Sequence, residues 1–271
     1  FSFKLFSRHE LEPSATSQED PFLVVIDCIS NLGYGGGNNV GLRYALGRGD
    51  CSYAWLLNND TVVDRNALKS LVSRMKAMPS AGMCGSTLLH YDRPNKVQAL
   101  GGGYYCKWIG LPWHIGRLMS TGRPFNKERS ERWMNYIVGA SLLVSSEFIT
   151  SVGLMAEEYF LYFEELDWAI RGKDRFSLAY APDSIVYHKV GASIGTTSNP
   201  ATKSYISDFF NVRNRIIFTR KYFPHALPAI YLTLLVAILL RAICGKWERV
   251  AMIWQIMTGS HHADPSRGFK A

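Results

Sequence analysis

The chain has 271 residues, of which 47% are hydrophobic and 19% are charged. This length and composition suffice for one large hydrophobic core or two small ones, and they exclude a disordered chain. The 23 Gly and 11 Pro follow no fixed period, which excludes a collagen-like chain. Thirty Lys and Arg against 22 Asp and Glu leave a net charge of +8. An anionic partner is therefore expected, whether nucleic acid, a phosphorylated small molecule or an acidic membrane surface.

The first half of the chain alternates between predicted strands and helices. Residues 22–27 are predicted to form an apolar strand, and the glycine-rich segment NLGYGGGNN is predicted to be a turn that leads into a helix. The next predicted elements are a strand at 53–57, a helix capped by Thr61 or Asp64 that ends near Met78, and a strand at 82–89. This alternation is typical of an α/β fold with a mostly parallel sheet, which binds ligands at the carboxyl ends of its strands.

The second half of the chain differs in composition and in hydrophobic periodicity. Residues 101–133 are rich in glycine and aromatic side chains without clear periodicity, and they are predicted to form a long functional loop. The elements predicted after it are strand character over 133–144, a helix from Glu164, strands at 177–181 and 185–188, and helices at 203–222, from 226 and near 249–258. We expect a first domain of residues 1–224 and a C-terminal helical segment of residues 225–271.

An apolar run at 226–240 carries no charge. A membrane span needs roughly 20 apolar residues, so this run is short for a span. Basic residues flank it on both sides, as expected for a helix that lies on an anionic bilayer: Arg213, Arg215, Arg220, Lys221, Arg241, Lys246 and Arg249. The alternative is a buried core helix.

The cysteines are widely spaced, with no pattern typical of a zinc site. We interpret them as buried free thiols of a protein in the reducing cytoplasm: Cys28, Cys51, Cys84, Cys106 and Cys244. The first residues also lack the charged and apolar order of a secretion signal.

Two polar segments could bind a phosphorylated ligand. The glycines at 35–37 would let the backbone approach a ligand at a helix N-terminus, although a plain tight turn explains them as well. The segment 58–61 (NNDT) ends an apolar strand, where the Asp60 carboxylate, helped by the Asn58 amide, could hold Mg²⁺ or Mn²⁺ together with a diphosphate. The alternative is an Asx turn that caps the next helix.

An acidic segment, FEELDWAIR, begins a predicted helix. Glu164, Asp167 and Arg171 share one helical face, whereas Glu165 points about 100° away from Glu164. As an alternative, these carboxylates could merely stabilise the helix by interacting with the positive end of its dipole. This alternative applies most to Glu164. Glu165 is predicted to be functional.

Basic residues near the C-terminal half could complete a site. His188 follows a short strand and could be a metal ligand or a phosphate donor, or else a core histidine. Arg213 and Arg220 share a helical face, with Asn214 beside the first, and arginines suit phosphate groups. A solvated basic face is the alternative.

Taken in order, these motifs resemble the family 2 glycosyltransferases, and within them the rhamnosyltransferase-like bacterial enzymes that build surface polysaccharide. The resemblance covers residues 22–224 and is carried by NLGYGGGNNVGL, LLNNDTVVD, VGASLLV, YFLYFEELDWAIRG, VYHKVGAS and FFNVRNRIIFTRKYFP. It implies a GT-A-like α/β fold and an inverting transfer of a sugar, such as rhamnose, from a nucleotide-diphosphate donor. The implied acceptor is a polysaccharide or a lipid-linked glycan. UDP-galactofuranose and UDP-N-acetylglucosamine are alternative donors.

The resemblance also implies residue roles. Asn58 and Asp60 stand at the family's DxD metal position, His188 matches a metal-binding or phosphate-binding histidine, and Mg²⁺ or Mn²⁺ is the implied cofactor. Glu165 stands where the family usually has the Asp that acts as catalytic base, and Asp167 is the second candidate. The other implied residues are Gly35, Gly36, Gly37, Asn38, Arg213 and Asn214 for the donor, and Trp108, Trp113, Gly139, Ala140, Ser141 and Glu164 for the acceptor side.

The family's first strand, helix and second strand, which hold the base and ribose, have no counterpart in residues 1–21. Either an N-terminal segment is missing, or the chain is a catalytically degenerate, membrane-docked scaffold. The expected partners are the sugar nucleotide, a glycan or lipid-linked acceptor and an anionic membrane surface, without nucleic acid. The expected location is the inner face of the plasma membrane.

Overall fold

The computed structural model describes residues 3–7, 23–189 and 204–260. Strands and helices alternate along the chain, as predicted. The strands are β1 (Phe3–Ser7), β2 (Leu23–Asp27), β3 (Tyr53–Leu57), β4 (Thr61–Val63), β5 (Ala81–His90), β6 (Arg93–Leu100), β7 (Gly102–Cys106), β8 (Leu111–His114), β9 (Tyr136–Ile137), β10 (Ser141–Ser145) and β11 (Ser177–His188). The helices are α1 (Gly33–Gly47), α2 (Ala67–Ala77), α3 (Lys127–Trp133), α4 (Ser146–Val152), α5 (Glu164–Gly172), α6 (Tyr205–Tyr222), α7 (Leu227–Ile243) and α8 (Trp247–Thr258).

The central sheet has six strands in the order β3, β10, β5, β11 and β4, with β6 paired to β5. Only β5 and β11 pair in parallel within it, so the sheet is mixed and not mostly parallel as predicted. The reason is that β6 folds back on β5 through a short turn, and β10 enters between β3 and β5 in the opposite direction. Two smaller sheets join β1 to β2 in parallel and β8, β7 and β9 in an antiparallel set.

Both faces of the central sheet are covered by helices. On one face, Phe148 of α4 and Trp168 of α5 are almost fully buried, and their rings meet edge to face at 5.4 Å. On the other face, α2 buries Leu71 and Met75 in a separate cluster. Burial of large apolar side chains contributes about 1.5–3 kcal/mol each, so these contacts fix the sheet that carries the site.

Three predicted elements differ from the structure. The glycines at 35–37 lie within the first turns of α1 and not in a turn before it. Thr61 begins β4, and Asn66 precedes α2 as its N-terminal cap residue. Residues 101–133 form β7, β8 and α3 instead of one long loop, because their glycines permit close strand contacts that periodicity does not reveal.

The cysteines are all free thiols, as predicted, but they are not all buried. Cys84 lies in the core, whereas Cys244 is exposed near the end of α7.

The C-terminal helices α7 and α8 pack on α6 through one apolar cluster. Ile230 and Leu234 of α7 meet Phe210 of α6 and Ile253 of α8 in this cluster. The outward face of α7 remains exposed: Leu232, Leu235, Val236, Leu239, Leu240 and Ile243. α7 is therefore not the fully buried core helix of the alternative prediction. The predicted division at residue 224 stays a prediction.

Within the described residues, one helical segment is long and apolar enough to cross a membrane. It comprises 20 residues, Pro224–Ile243, with a mean hydropathy of 2.2 and 17% of its most apolar window buried. The apolar helix is thus longer than the uncharged run read from the sequence.

Candidate active site

The first feature of the site is a carboxylate beside an imidazole at the end of β11. Antiparallel pairing of β4 with β11 sets His188 opposite Thr61, and the Lys189 N–H donates to the Asp60 carbonyl at 2.9 Å. His188 Nε2 then lies 3.2 Å from Asp60 Oδ1, with both side chains about nine-tenths buried. The strand register therefore joins two residues that are far apart in sequence.

This pair has the properties of a cation site. His188 Nδ1 lies 2.9 Å from Gln98 Oε1, so the proton belongs on Nδ1 and the Nε2 lone pair faces Asp60. Burial lowers the pKa of His188 below its usual range, although Asp60 opposes this shift, and the lowered pKa favours the neutral imidazole that binds metals. The 3.2 Å separation meets the distance of an ion pair but not the geometry of a hydrogen bond, so Asp60 Oδ1 has no donor among the described residues.

Two electron-pair donors that face each other in a buried place fit a divalent cation such as Mg²⁺ or Mn²⁺. Among the described residues, no group of three or more His, Cys, Asp and Glu side chains has metal-binding geometry. The described part of the chain thus offers two ligands at this point.

The second feature is the carboxylate of Glu165, which lies against Gly139. A Cβ at position 139 would collide with Glu165 Oε1 and with the Tyr34 hydroxyl, so only glycine permits this approach. The Tyr34 hydroxyl donates to the Gly139 carbonyl at 2.7 Å. Burial raises the pKa of Glu165, while a hydrogen bond from the Gly139 backbone limits the rise. Glu165 remains only half-buried.

One short segment connects the two features. The Asn58 N–H donates to the Ala140 carbonyl at 3.2 Å, and residue 139 touches Glu165. The 58–60 turn and the Glu165 carboxylate therefore lie on neighbouring residues of the same backbone segment. Ser141, the last residue of this predicted acceptor-side segment, is fully buried, and its hydroxyl contacts Ser86 and the Trp55 indole.

Glu164 is a buried carboxylic acid without a partner. It has 0% exposure, and neither carboxyl oxygen has a hydrogen-bond donor among the described residues. It lies beneath α1, where a Cβ at Gly35 would be 3.3 Å from Glu164 Cγ. Burial, and next the charge of Glu165, raise the pKa of Glu164 well above its usual range. The raised pKa favours the neutral acid, which would not interact with the helix dipole as a charge. Because the side chain has 0% exposure, it also does not suit the predicted contact with an acceptor.

Replacing Glu164 with Gln is expected to change how stability depends on pH. Because the pKa of Glu164 is higher in the folded state, the folded state keeps a proton that the unfolded chain releases above about pH 4.5. The wild-type free energy of unfolding should thus fall as the pH rises, relative to Glu164→Gln. We expect similar Tm values at pH 4 and a gap in favour of the variant by pH 8. A difference of about 1 kcal/mol corresponds to about 2–4 °C. Calorimetry from pH 4 to 8 measures this gap, and parallel curves would contradict it.

Asp167, the second candidate base, is a buried carboxylate that is held by hydrogen bonds. It has 0% exposure and accepts hydrogen bonds from four donors: Tyr159, Arg171, Lys221 and Tyr222. Burial alone would raise the pKa of Asp167, but the bonds from Tyr222, Lys221 and Arg171 outweigh burial and leave the pKa below its usual range. This carboxylate joins α5 to α6 and is saturated with donors, so it does not suit proton abstraction.

Arg213 and Asn214 face the backbone before α5 and not an open donor site. Asn214 is fully buried, and its amide nitrogen lies 2.8–3.1 Å from the carbonyl oxygens of Tyr159, Leu161 and Tyr162. Arg213 Nη1 donates to the carbonyl of Glu158 and to the Asn214 side chain. The predicted donor-binding role for Asn214 therefore disagrees with its geometry.

These contacts stabilise an unusual backbone. Phe160, Tyr162 and Phe163 have φ values of 62°, 68° and 79°, in the left-handed region that costs such residues about 1–3 kcal/mol each. The segment leads directly into Glu164 and Glu165, so Asn214 helps to orient the start of α5.

Gly35 and Gly36 of α1 serve helix packing. Glycine disfavours a helix by about 1 kcal/mol relative to alanine, but here it allows α1 to approach residues 155–157. Asn39 reinforces this contact, because its amide donates to the Met155 carbonyl at 2.9 Å and its oxygen accepts from the Met155 N–H at 3.0 Å. Gly37 and Asn38 stay half-exposed, and Asn38 bonds back to the Tyr34 carbonyl.

Trp108 and Trp113 are both exposed on the β7–β8 hairpin. Trp113 lies opposite Tyr104, and the Trp108 ring meets His225 edge to face at 5.6 Å. The described contacts do not bring either tryptophan to Glu165 or Asp60.

Sequence reasoning missed Tyr34, Gln98 and Asn39. Each acts through a residue distant in sequence, and a single tyrosine or amide carries no spacing signal. Only the motif NLGYGGGNN, which contains two of them, pointed to this region.

Residues 7–132 match the family described as Glycosyl transferase family 2. Over this segment, the family predicted from the motifs is confirmed. The mixed sheet flanked by helices and the apolar C-terminal helix agree with the GT-A-like fold expected for that family.

Two curated proteins are similar to the chain. The low-salt glycan biosynthesis hexosyltransferase Agl10 of Haloferax volcanii is 23% identical over 85% of this chain and 69% of its own length. The N-acetylglucosaminyl-diphospho-decaprenol L-rhamnosyltransferase of Mycobacterium tuberculosis is 27% identical over 68% of this chain and 64% of its own length. The chain thus spans about two thirds of these relatives.

Among solved structures, a mannosyltransferase of Pyrobaculum calidifontis in complex with GDP-mannose and Mn²⁺ is 12% identical, with a TM-score of 0.45. The likeness covers 92% of this chain and 65% of the mannosyltransferase.

Proposed function

We propose that this protein transfers a sugar, with inversion at the anomeric carbon, from a nucleotide-diphosphate donor to a glycan. Rhamnose as the sugar and a lipid-linked glycan as the acceptor are supported by the name of the mycobacterial relative. UDP-galactofuranose and UDP-N-acetylglucosamine remain alternative donors.

One observation carries the proposal. The turn that carries Asp60 and the Glu165 carboxylate reach the same short segment, residues 139–140: the Asn58 N–H bonds the Ala140 carbonyl, and Glu165 lies against Gly139. Displacing a sugar from a diphosphate needs a positive charge at the leaving group and a base at the acceptor hydroxyl. This arrangement supports both roles at one place.

In this proposal, Asp60 and His188 hold the divalent cation. A bound Mg²⁺ or Mn²⁺ would supply charge stabilisation to the departing diphosphate. Glu165 takes the proton of the acceptor hydroxyl at a carboxyl oxygen, and its raised pKa makes it a stronger base than an exposed carboxylate. Tyr34 holds the Gly139 carbonyl in place next to that carboxylate.

Removing the Asp60 carboxylate is expected to abolish cation-dependent donor binding. Because Asp60 Oδ1 has no hydrogen-bond donor among the described residues, Asp60→Ala should leave the fold intact. We expect donor affinity in Mn²⁺ to fall by at least about 10-fold, the lower range for a damaged metal site. Calorimetric titration with dTDP-sugars and UDP-sugars, in Mn²⁺ and in EDTA, measures the change.

The matched control is Asp174→Ala, which removes an exposed carboxylate beyond the end of α5. Unchanged donor affinity in Asp60→Ala would overturn the cation role. A wild-type protein that binds no sugar nucleotide would instead favour the degenerate scaffold, and salt-sensitive RNA binding would favour a nucleic-acid partner.

We also propose that the protein binds the cytoplasmic face of an anionic membrane through α7. One face of α7 packs on α6 and α8, and Arg241 near its end bonds Asp208 of α6 at 2.9 and 3.0 Å. A helix held along its length in this way supports attachment on the surface better than a free span. Lys246 and Trp247 are exposed just beyond it, as suits an interface of anionic lipid and water.

The protein is expected to sediment with vesicles that contain anionic phosphatidylglycerol and to be released at high salt, because salt screens the charges. Leu239 is 60% exposed on α7, so Leu239→Asp should abolish sedimentation without unfolding the protein. Leu68→Asp, at an exposed leucine of α2, is the control and should still sediment. Release only by detergent would point to insertion across the bilayer, and no sedimentation at any salt concentration would overturn the attachment.

A further inference from the structure

A cavity of about 730 Å³ lies at the end of the central sheet where β5 and β11 begin, and its lining includes Leu166, the residue after Glu165. Met78, Ser177 and Leu178 line it where β5 and β11 begin. His188 is at the other end of β11, about 30 Å away at 3.3 Å per residue. The cavity is therefore distinct from the Asp60–His188 pair.

Its interior is largely apolar. Leu166, Ala169 and Ile170 of α5 form one wall, and Phe218 and Phe223 at the end of α6 form another. The amide of Asn135, a polar lining residue, already accepts from the Tyr105 N–H at 3.0 Å. The interior thus offers a hydrocarbon chain extensive contact and a sugar few free partners.

The charges around the cavity are unbalanced. Its acids are paired: Glu131 with Arg74 at 2.6 Å, and Glu128 with Lys127 at 3.5 Å. Three lining cations make no ion pair within the described residues: Lys107, Arg132 and Lys173. Within the described residues, the lining thus carries three cations without an ion pair, and each of its two acids has a cationic partner.

The mouth is continuous with the start of the apolar C-terminal helix. Lys107 Nζ lies 5.3 Å from the Trp108 ring and 5.7 Å from the Phe223 ring. Trp108 contacts His225, which belongs to the single 3₁₀ turn that leads into α7. The lining cation Lys107 is therefore close to the start of α7, the helix proposed to lie on the membrane.

We propose that this cavity binds a phosphate-bearing lipid, with its hydrocarbon chain between α5 and α6 and its phosphate at Lys107, Arg132 and Lys173. The apolar walls select the chain, and the unpaired cations select the phosphate. The lipid source rests on the proposed membrane attachment, but binding does not require the transfer reaction. Both an isoprenoid phosphate and a membrane phospholipid have this chemistry.

Calorimetric titration with farnesyl phosphate and with dihexanoyl-phosphatidylglycerol as soluble probes tests the proposal. Ala169→Trp fills the cavity from α5, and the double variant Lys107→Gln/Lys173→Gln removes two cations. We expect each to weaken binding of the probes by at least 10-fold. Lys69→Gln, on the exposed side of α2, is the matched control and should bind as the wild type does. Affinity for the sugar nucleotide in Mn²⁺ should stay unchanged in all variants.

Tighter binding of one probe assigns the source as isoprenoid phosphate or phospholipid. Failure of both probes to bind the wild type overturns the proposal. Unchanged affinity for the probes in the Lys107→Gln/Lys173→Gln variant also overturns it. The double variant therefore tests the proposal even if Ala169→Trp does not fold. Equal affinity for farnesol overturns the phosphate site, and equal affinity for inorganic phosphate overturns the chain site. Because donor binding is measured in the same samples, failure of the transferase proposal is recognised separately.

Discussion

Replacing Glu165 with Gln is expected to lower kcat by about 10²-fold or more while donor affinity stays nearly constant. General-base catalysis contributes about 10²–10⁴-fold, and the amide cannot accept the acceptor's proton. Gln is nearly isosteric, so its contact with Gly139 and the fold of α5 should persist. In the proposal, donor binding depends on the Asp60–His188 pair and not on Glu165, so KM for the donor should change little. Steady-state kinetics with a saturating acceptor measures both constants.

Two further variants sharpen this result. Glu165→Asp keeps a carboxylate but shortens it by one methylene, so we expect a smaller loss of kcat than in Glu165→Gln. Gly139→Ala places a Cβ where Glu165 Oε1 lies, and we expect it to lower kcat by displacing the base. Retention of more than half of the wild-type kcat in Glu165→Gln would refute the assignment.

Replacing Asp167 with Asn is expected to cost about 3 kcal/mol or more of folding free energy. Its carboxylate has 0% exposure, and the Arg171 and Lys221 cations and two tyrosine hydroxyls donate to it. Removing one partner of a buried ion pair leaves the others without compensation, which typically costs about 3–5 kcal/mol. Urea unfolding measures the loss, and the folded variant should still bind the donor at low temperature.

The pH dependence gives an independent check on Asp167. Because its pKa is lowered in the folded state, its contribution is complete above the unfolded value near 3.8 and is lost as the pH falls through the lower folded value. The stability gap between wild type and Asp167→Asn should therefore shrink in strong acid. Asp174→Asn, an exposed control, should stay within about 0.5 kcal/mol of the wild type. A kcat loss in Asp167→Asn without a loss of stability would move the base to Asp167.

Local patterns predicted several elements well. The strand 53–57 and the start of α5 at Glu164 agree with the structure residue for residue. Helical geometry predicted that Glu164 and Glu165 point in different directions, and the structure buries the first and leaves the second half-buried. These features depend on residues close in sequence, so periodicity and position on a helix suffice to predict them.

Features that depend on distant residues were predicted poorly. The glycines of α1 were interpreted as a turn, either a plain tight turn or one that binds phosphate, because glycine permits close approach to a ligand and to another backbone alike. Asn214 was assigned to the donor, whereas it bonds the carbonyls before α5. The direction of β6 and β10 escaped prediction because periodicity does not report strand direction.

The sequence by itself determined the family, the α/β class, the acidic start of α5 and the apolar C-terminal helix, since each depends on short motifs or composition. Only the tertiary structure decided the surroundings of each carboxylate in this acidic segment. Glu164, Glu165 and Asp167 lie within four positions, but their surroundings come from α1, residue 139 and α6 respectively. Desolvation and hydrogen bonding at such long-range contacts set the charge of a carboxylate, and a linear pattern of acids does not contain them.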